Sequence, residues 1–356
     1  MTEAIKRLQQ KLGTVPEAVL VTDELNLYYF TGFHYTDGFL LITPEEAVIY
    51  TDSRYTEAAR KQVDPEIKIA LTDADGIAGL RHLLLGAGIR SLGYEDRSMT
   101  CHELAEWQKR LPDTCFVPVN ELILNLREFK SPKEREEIIA AQRIAEQALS
   151  EVLGIISTDM TEQELAFELD MRMRRLGASG NSFETIAVSG QASSLPHGVP
   201  RPVKIQRGFL TMDFGAIKNG YCSDMTRTVC IGQPDDEMRR VYQTVADAQN
   251  AAIEAMHKGA LCRDADAAAR RIIADAGYGE YFGHGLGHGV GLFIHESPRL
   301  SPAAPADKRL ECGHVVTAEP GIYLPGRFGV RIEDMVFVEE NGIRDITLAP
   351  KELIVL

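Results

Sequence analysis

Short apolar runs and helical patterns alternate through the first third of the chain. AVLVTD at 18–23, FLLITPEEAVIYTD at 39–52 and SLGYE at 91–95 have the length and β-branched character of strands. SRYTEAARKQ at 53–62 and the neighbourhood of TCHELAEWQKRL at 100–111 space their residues as helices do. The alternation predicts an α/β layer domain over residues 1–125. At LREFKSPKEREE the pattern changes. Ser131 is an N-cap, Pro132 suits the first helical position and Glu134 completes a capping box, so a long helix starts a second domain, 126–356.

From there the order of elements repeats. Helices over 132–156 and 161–176 lead through SLPHGVP to GFLTMDFGAIKNGYCSDMTRTV. Helices over 236–257 and 263–276 lead through HGLGHGVGLFIHE to HVVTAEPGIYLPGRFGVRIEDMVFV. Thr161, Glu164 and Gly177 cap the second helix, and Gly259 stops the third. Each half is thus two helices, a histidine segment and a strand pair with two acids. Order alone supports this α+β duplication, since sequence identity between the halves is slight.

Composition narrows the class of partner. The 356 residues are 44% hydrophobic and 25% charged, as in an ordinary globular protein of two domains. A net charge of −14 disfavours nucleic acid and anionic membranes. MTEAIKRLQQKLG lacks a signal-peptide core, and no window reaches the ~18 apolar residues of a membrane span. Six scattered cysteines without a C-x-x-C pair predict reduced thiols in a cytoplasmic protein and no cysteine zinc site.

The acids carry the chemistry. Asn219-Gly220 is a type I′ hairpin signal; with those two residues as the loop, Lys218 faces Tyr221 and Asp213 faces Thr226. Asp224 then shares a face with Asp213, at a diagonal separation of about 7–8 Å. One extra loop residue would put them on opposite faces. Surface hairpins often carry aspartates, but these two sit among apolar strand residues, where an unpaired carboxylate is expensive. Glu319 ends VVTAE before the Pro320-Gly321 break, and Glu333 lies in VRIEDMVFV with Arg331 on its own face. An exposed Arg–Glu pair is the alternative there. Four carboxylates carry a charge that two divalent cations would neutralise. Oxygen-rich ligation favours manganese, cobalt or ferrous iron over a thiolate-type zinc site, and two such ions suit hydrolysis.

His284, His288 and His295 fall within HGLGHGVGLFIHE, where glycine at every second position from 285 to 291 argues against a helix. In extended backbone, residues four apart lie about 13 Å apart, so His284 and His288 cannot share one ion. The glycines let the backbone pass close to its neighbours.

Together, MDFG, YCSDMTRT, GHGVG, TAEPG and VRIED resemble the pita-bread metallopeptidases: prolidase, aminopeptidase P and methionine aminopeptidase. The resemblance covers nearly the whole chain. It implies Asp213, Asp224, His288, Glu319 and Glu333 as ligands of two divalent ions, Mn2+ first, with Co2+, Fe2+ or Zn2+ as alternatives. It also implies two αα-ββ halves about a pseudo-twofold axis. NLYYFTGF and YTDSRY resemble the creatinase-type domain that precedes the catalytic domain in prolidases and aminopeptidase P, and methionine aminopeptidase lacks that domain.

Carried over, Glu319 would accept and deliver the proton of the attacking water, and His295 would donate a hydrogen bond to the oxyanion. His197 would bind the substrate main chain, Arg331 would orient a ligand carboxylate, and His284 would support the site. By itself His197 is a loop histidine after proline; its place in the repeat is what raises it. Arg299, four residues past His295, is either a clamp for a free substrate carboxylate or an exposed loop arginine. His34, His82, His102, His257 and His314 are ordinary histidines.

The implied activity is hydrolysis of Xaa-Pro bonds, by a dipeptidase (prolidase) ahead of an aminopeptidase P, on proline-containing di- or oligopeptides and in a homodimer. Creatinase-like hydrolases need none of the five ligands. Pita-bread proteins that only bind partners typically lose them.

Overall fold

In the computed structural model, which describes residues 1–72 and 77–356, the N-terminal apolar runs form one six-stranded sheet. Its strands are β1 (Ala18–Val21), β2 (Gly38–Ile42), β3 (Ala47–Thr51), β4 (Lys68–Leu71), β5 (Ser91–Tyr94) and β6 (Cys115–Pro118), in the order β4-β3-β2-β1-β5-β6. FLLITPEEAVIYTD becomes two antiparallel strands, with Phe39 opposite Tyr50. These runs are apolar throughout because both faces are covered. Val19, Val21, Leu40, Ile42 and Ile49 enter one core, while Ala18, Leu20, Phe39, Leu41 and Val48 enter the other. Helices α1 (Glu3–Gln9), α2 (Glu24–Thr31), α3 (Ser53–Gln62) and α6 (Asn120–Glu128) serve the first core. Helices α4 (Ala78–Gly86) and α5 (Cys101–Arg110) serve the second.

Two compact units divide the chain, Met1–Arg127 and Glu128–Leu356. In the second, α7 (Pro132–Leu153) starts at the Ser131 capping box and α8 (Glu162–Arg175) at the Thr161 capping box. The strands β7 (Gly180–Asn181), β8 (Ile186–Ser189), β9 (Gly208–Phe214), β10 (Ala216–Lys218), β11 (Tyr221–Cys222) and β12 (Met225–Ile231) follow. The second half has α9 (Asp236–Ala255) and α10 (Cys262–Asp275), then β13 (Gly287–Gly289), β14 (Glu296–Leu300), β15 (Val315–Ala318), β16 (Gly321–Leu324), β17 (Phe328–Arg331), β18 (Asp334–Glu339) and β19 (Gly342–Asp345). The helices stop up to three residues earlier than the periodicity predicts, because Gly154 and Met256 close the backbone of α7 and α9.

The Asn219-Gly220 turn has φ of 45° and 81°, as type I′ requires. Its register pairs Lys218 with Tyr221 and Asp213 with Thr226, so no residue slips and the two aspartates keep to one face. VRIEDMVFV is not one strand: Ile332 and Glu333 separate β17, which pairs with β16, from β18, which pairs with β15. The sheets of the two halves meet there. Thr226 O accepts from Glu333 N (3.2 Å), and Thr228 Oγ1 is bonded to both the amide and the carbonyl of Arg331.

Among the described residues no helix is long and apolar enough to cross a membrane.

Candidate active site

The glycines of HGLGHGVGLFIHE give the site its closeness. Gly287 and Gly289 bring β13 between β14 and β15, where a Cβ would fall on the carbonyl oxygens of Thr317 and Ser297. A Cβ on Gly291 would strike the buried carboxylate of Glu296. Cys222 N donates to Gly291 O (2.8 Å), joining this segment to the aspartate hairpin. All ten residues singled out in the sequence line one cavity of about 990 Å³.

At its floor, Asp224, His288 and Glu333 are buried, with one ligand atom from each within 4.8 Å of the others. His288 Nε2 lies 3.5 Å from Asp224 Oδ2 and 3.4 Å from Glu319 Oε1. Burial pushes the His288 ring down to about 3, so it is neutral. Its Nδ1 lies 3.1 Å from the carbonyl of Gly289, which has no proton to give, so Nδ1 carries the proton and Nε2 keeps a lone pair. A bare nitrogen facing two carboxylates is held either by a cation between them or by a proton on one of the carboxyls. With Glu333 beside them, these groups could hold a metal ion.

The carboxylates carry the same message. Burial, followed by the neighbouring carboxylates, raises Asp224 and Glu333 well above the ordinary range. Burial also pushes Glu319 up to about 8. Such groups are paired, protonated or bound to metal. Asp213 gives Oδ2 to Arg331 (2.6 Å), while its buried Oδ1 has no hydrogen-bond partner among the described residues. That orphaned oxygen fits a metal ligand as well.

Arg331 is buried, which excludes the exposed Arg–Glu pair. Burial alone would lower it, but Tyr323 and the carboxylates of Asp213, Glu319 and Glu333 hold it well above its ordinary value. It donates to Asp213, to Thr226 Oγ1 (3.0 Å), to Tyr323 Oη (2.8 Å) and to the carbonyl of Pro196 (3.2 Å). Arginine has no acceptor, so Tyr323 must accept from it and pass its own proton to His284 Nε2 (2.9 Å). His284 Nδ1 then donates to Gly285 O (2.9 Å). Burial lowers this ring to about 4, consistent with the neutral form.

His295 and Arg299 are exposed to the cavity, with the His295 ring 4.5 Å from that of His288. Burial, then the charges of Arg299 and His197, lower His295. His197 is exposed and lines the same cavity. The structure thus brings all ten residues to one place. Sequence reasoning missed Tyr323, and it missed Thr226, whose hydroxyl also donates to Glu333 Oε2 (2.7 Å). It also missed Thr317, which accepts from His288 N (3.1 Å) and donates to Glu319 (3.3 Å). Thr226 was visible only as the cross-strand partner of Asp213, and nothing in GIYLPGR marks Tyr323.

Residues 136–340 match metallopeptidase family M24, and residues 5–129 match the creatinase/prolidase N-terminal domain. The chain belongs to metallopeptidase family M24, whose members work with divalent metal ions. It is 43% identical to the uncharacterized peptidase YqhT of Bacillus subtilis, over 99% of both chains. A solved Xaa-Pro dipeptidase from Bacillus anthracis superposes with a TM-score of 0.95 at 39% identity, covering 99% of both chains. An X-Pro aminopeptidase from Thermotoga maritima gives 0.92 at 35% identity, covering 98% of this chain and all of that one.

Proposed function

We propose that the protein hydrolyses Xaa-Pro peptide bonds as a dipeptidase, using two divalent ions per subunit. Asp213, Asp224, His288, Glu319 and Glu333 would hold them, and the oxygen-rich donor set suits Mn2+ before Co2+, Fe2+ or Zn2+. One observation carries the reading: the bare Nε2 of His288 facing the oxygens of Asp224 and Glu319 beside Glu333. When bound, the ions supply Lewis-acid polarisation of the scissile carbonyl and a lowered pKa for the attacking water.

The protein's own groups do the rest. Glu319, which accepts from Thr317 and lies 3.4 Å from His288 Nε2, stands at the cluster where a general base and then acid is needed. It takes the water's proton and delivers it to the departing proline nitrogen. His295, on the cavity wall, donates a hydrogen bond to the oxygen that gains charge. His197, lining the same cavity, holds the substrate main chain. Arg331 keeps Asp213 aimed while anchoring the carbonyl of Pro196, next to His197. His284 is held by Tyr323 and supports Arg331 through it.

Arg299 in the cavity wall favours the dipeptidase, because it offers a cation to the free carboxylate of a C-terminal proline. The size of the cavity favours the second reading, an aminopeptidase: about 990 Å³ is at the top of the usual range for ligand pockets. The relatives' names divide the same way. Hydrolysis of Ala-Pro beside Ala-Pro-Ala, with manganese or cobalt, separates the two. A dipeptidase cleaves the first and spares the second, and Arg299→Ala raises its KM for the dipeptide. Equal cleavage of both would establish the aminopeptidase. We further take residues 1–125 and 126–356 as the domains of a cytoplasmic homodimer.

A further inference from the structure

The His197 ring makes no hydrogen bond to the described residues, so only the backbone of its segment fixes where it points. That segment leaves β8 at Ser189, forms a 3-10 turn over Gly190–Ser194, passes through SLPHGVP and reaches Arg201. One side chain closes it at both ends. Glu162, the first residue of α8 and fully buried, accepts from Ser189 N and Oγ (both 2.8 Å). It also accepts from Arg201 N (3.0 Å), Nε (2.8 Å) and Nη2 (2.6 Å). Arg201 is partly exposed and grips both carboxylate oxygens, a fork geometry that lysine cannot reproduce. On the near side, Arg331 holds the carbonyl of Pro196, and Gly329 N donates to Ser193 Oγ (2.9 Å). Burial would raise Glu162, but the bonds from Arg201 and Ser189 outweigh it and keep the carboxylate ionised.

We propose that Glu162 and Arg201 are positioning residues, a clamp on a buried carboxylate that fixes the His197 segment for contact with the substrate. This rests on the reading that His197 binds the peptide main chain. A clamp that served stability alone would cost activity only through loss of folded protein, whatever residue stood at 197.

The test is a double-mutant cycle on the metal-loaded enzyme with Ala-Pro, using Arg201→Ala, Glu162→Gln and His197→Ala. We expect each clamp variant to lower kcat/KM by about 10-fold to 100-fold, as small displacements of positioning groups do. In the His197→Ala background the same changes should cost less than about twofold, because the effects share one residue. Arg201→Lys should restore little. Equal losses in both backgrounds would overturn the clamp while leaving the peptidase reading intact, and wild-type activity in His197→Ala would overturn it too. Amide exchange gives a readout independent of turnover: Arg201→Ala should speed exchange across 189–201 and leave β12 and β15 unchanged. If the wild type cleaved no Xaa-Pro peptide, the substrate reading would fail. In every case, unchanged exchange across that segment would overturn the clamp.

Discussion

His295 and His288 are seven residues apart in one segment, and their different surroundings fit them to the different roles proposed for them. His288 is buried with its Nδ1 proton committed to Gly289, which leaves one lone pair for a metal. His295 faces the cavity beside it. His295→Ala should therefore lower kcat by about 10²–10³ with metal content unchanged, as loss of an oxyanion donor does. Metal analysis beside steady-state kinetics checks this; loss of metal would mean that the two roles are exchanged. Tyr323 shows what a single hydroxyl can hold. In Tyr323→Phe the half-buried His284 Nε2 loses its donor and Arg331 Nη1 keeps only Pro196 O. Urea unfolding should register a loss of about 1–3 kcal/mol for the groups left unsatisfied.

The β13 strand depends on having no side chains at Gly287 and Gly289. A Cβ at Gly287 meets backbone, which cannot swing aside. Gly287→Ala should therefore destabilise by about 1–3 kcal/mol through forced backbone shifts and loosen the metal site with it. Calorimetry of the metal-free and metal-loaded variant reads both effects. The aspartate hairpin was the most legible element, because Asn-Gly fixes the turn and the turn fixes which face every later side chain takes. The capping boxes at Ser131 and Thr161 were equally plain, being local. Helix α2 was not read as a helix. Its ELNLYYFT is aromatic-rich, and what makes it helical is Asp23 accepting from the amides of Leu25 and Asn26, with Gly32 closing it at φ 68°. The split of VRIEDMVFV was hidden too. The strand pairing that breaks it at Ile332 comes from partners far away in the chain. Nor could the grip of Glu162 on Arg201 be seen from residues 39 apart.

Across the molecule, the cost of gathering four carboxylates appears as a dependence of stability on pH. Glu319 has its folded pKa raised to about 8, and Asp224 and Glu333 are raised as well. Without metal, the folded state then holds more protons than the unfolded chain from the ordinary carboxylate range upward, so stability falls as pH rises. His284, His288 and His314, lowered to about 4, 3 and 3, and His295, also lowered, act in the opposite sense, an effect that fades by about pH 7.5 as the unfolded histidines lose their protons. Between about pH 7.5 and 8.5 the carboxylates act in the same sense as the raised Met1 amino group and Cys262 thiol, which metal does not touch. Metal-free protein should lose more melting temperature across that window than metal-loaded protein, since bound cations replace the carboxylates' protons. Parallel curves for the two forms would contradict the assignment of these acids to a metal site.

The most direct measurement is a metal titration of chelator-treated enzyme followed by hydrolysis of Ala-Pro. Activity should be absent without metal and return with manganese or cobalt as occupancy approaches about two ions per subunit. It should not return in Asp224→Asn or Glu333→Gln. Full activity in protein shown to be free of metal would contradict the proposed mechanism outright.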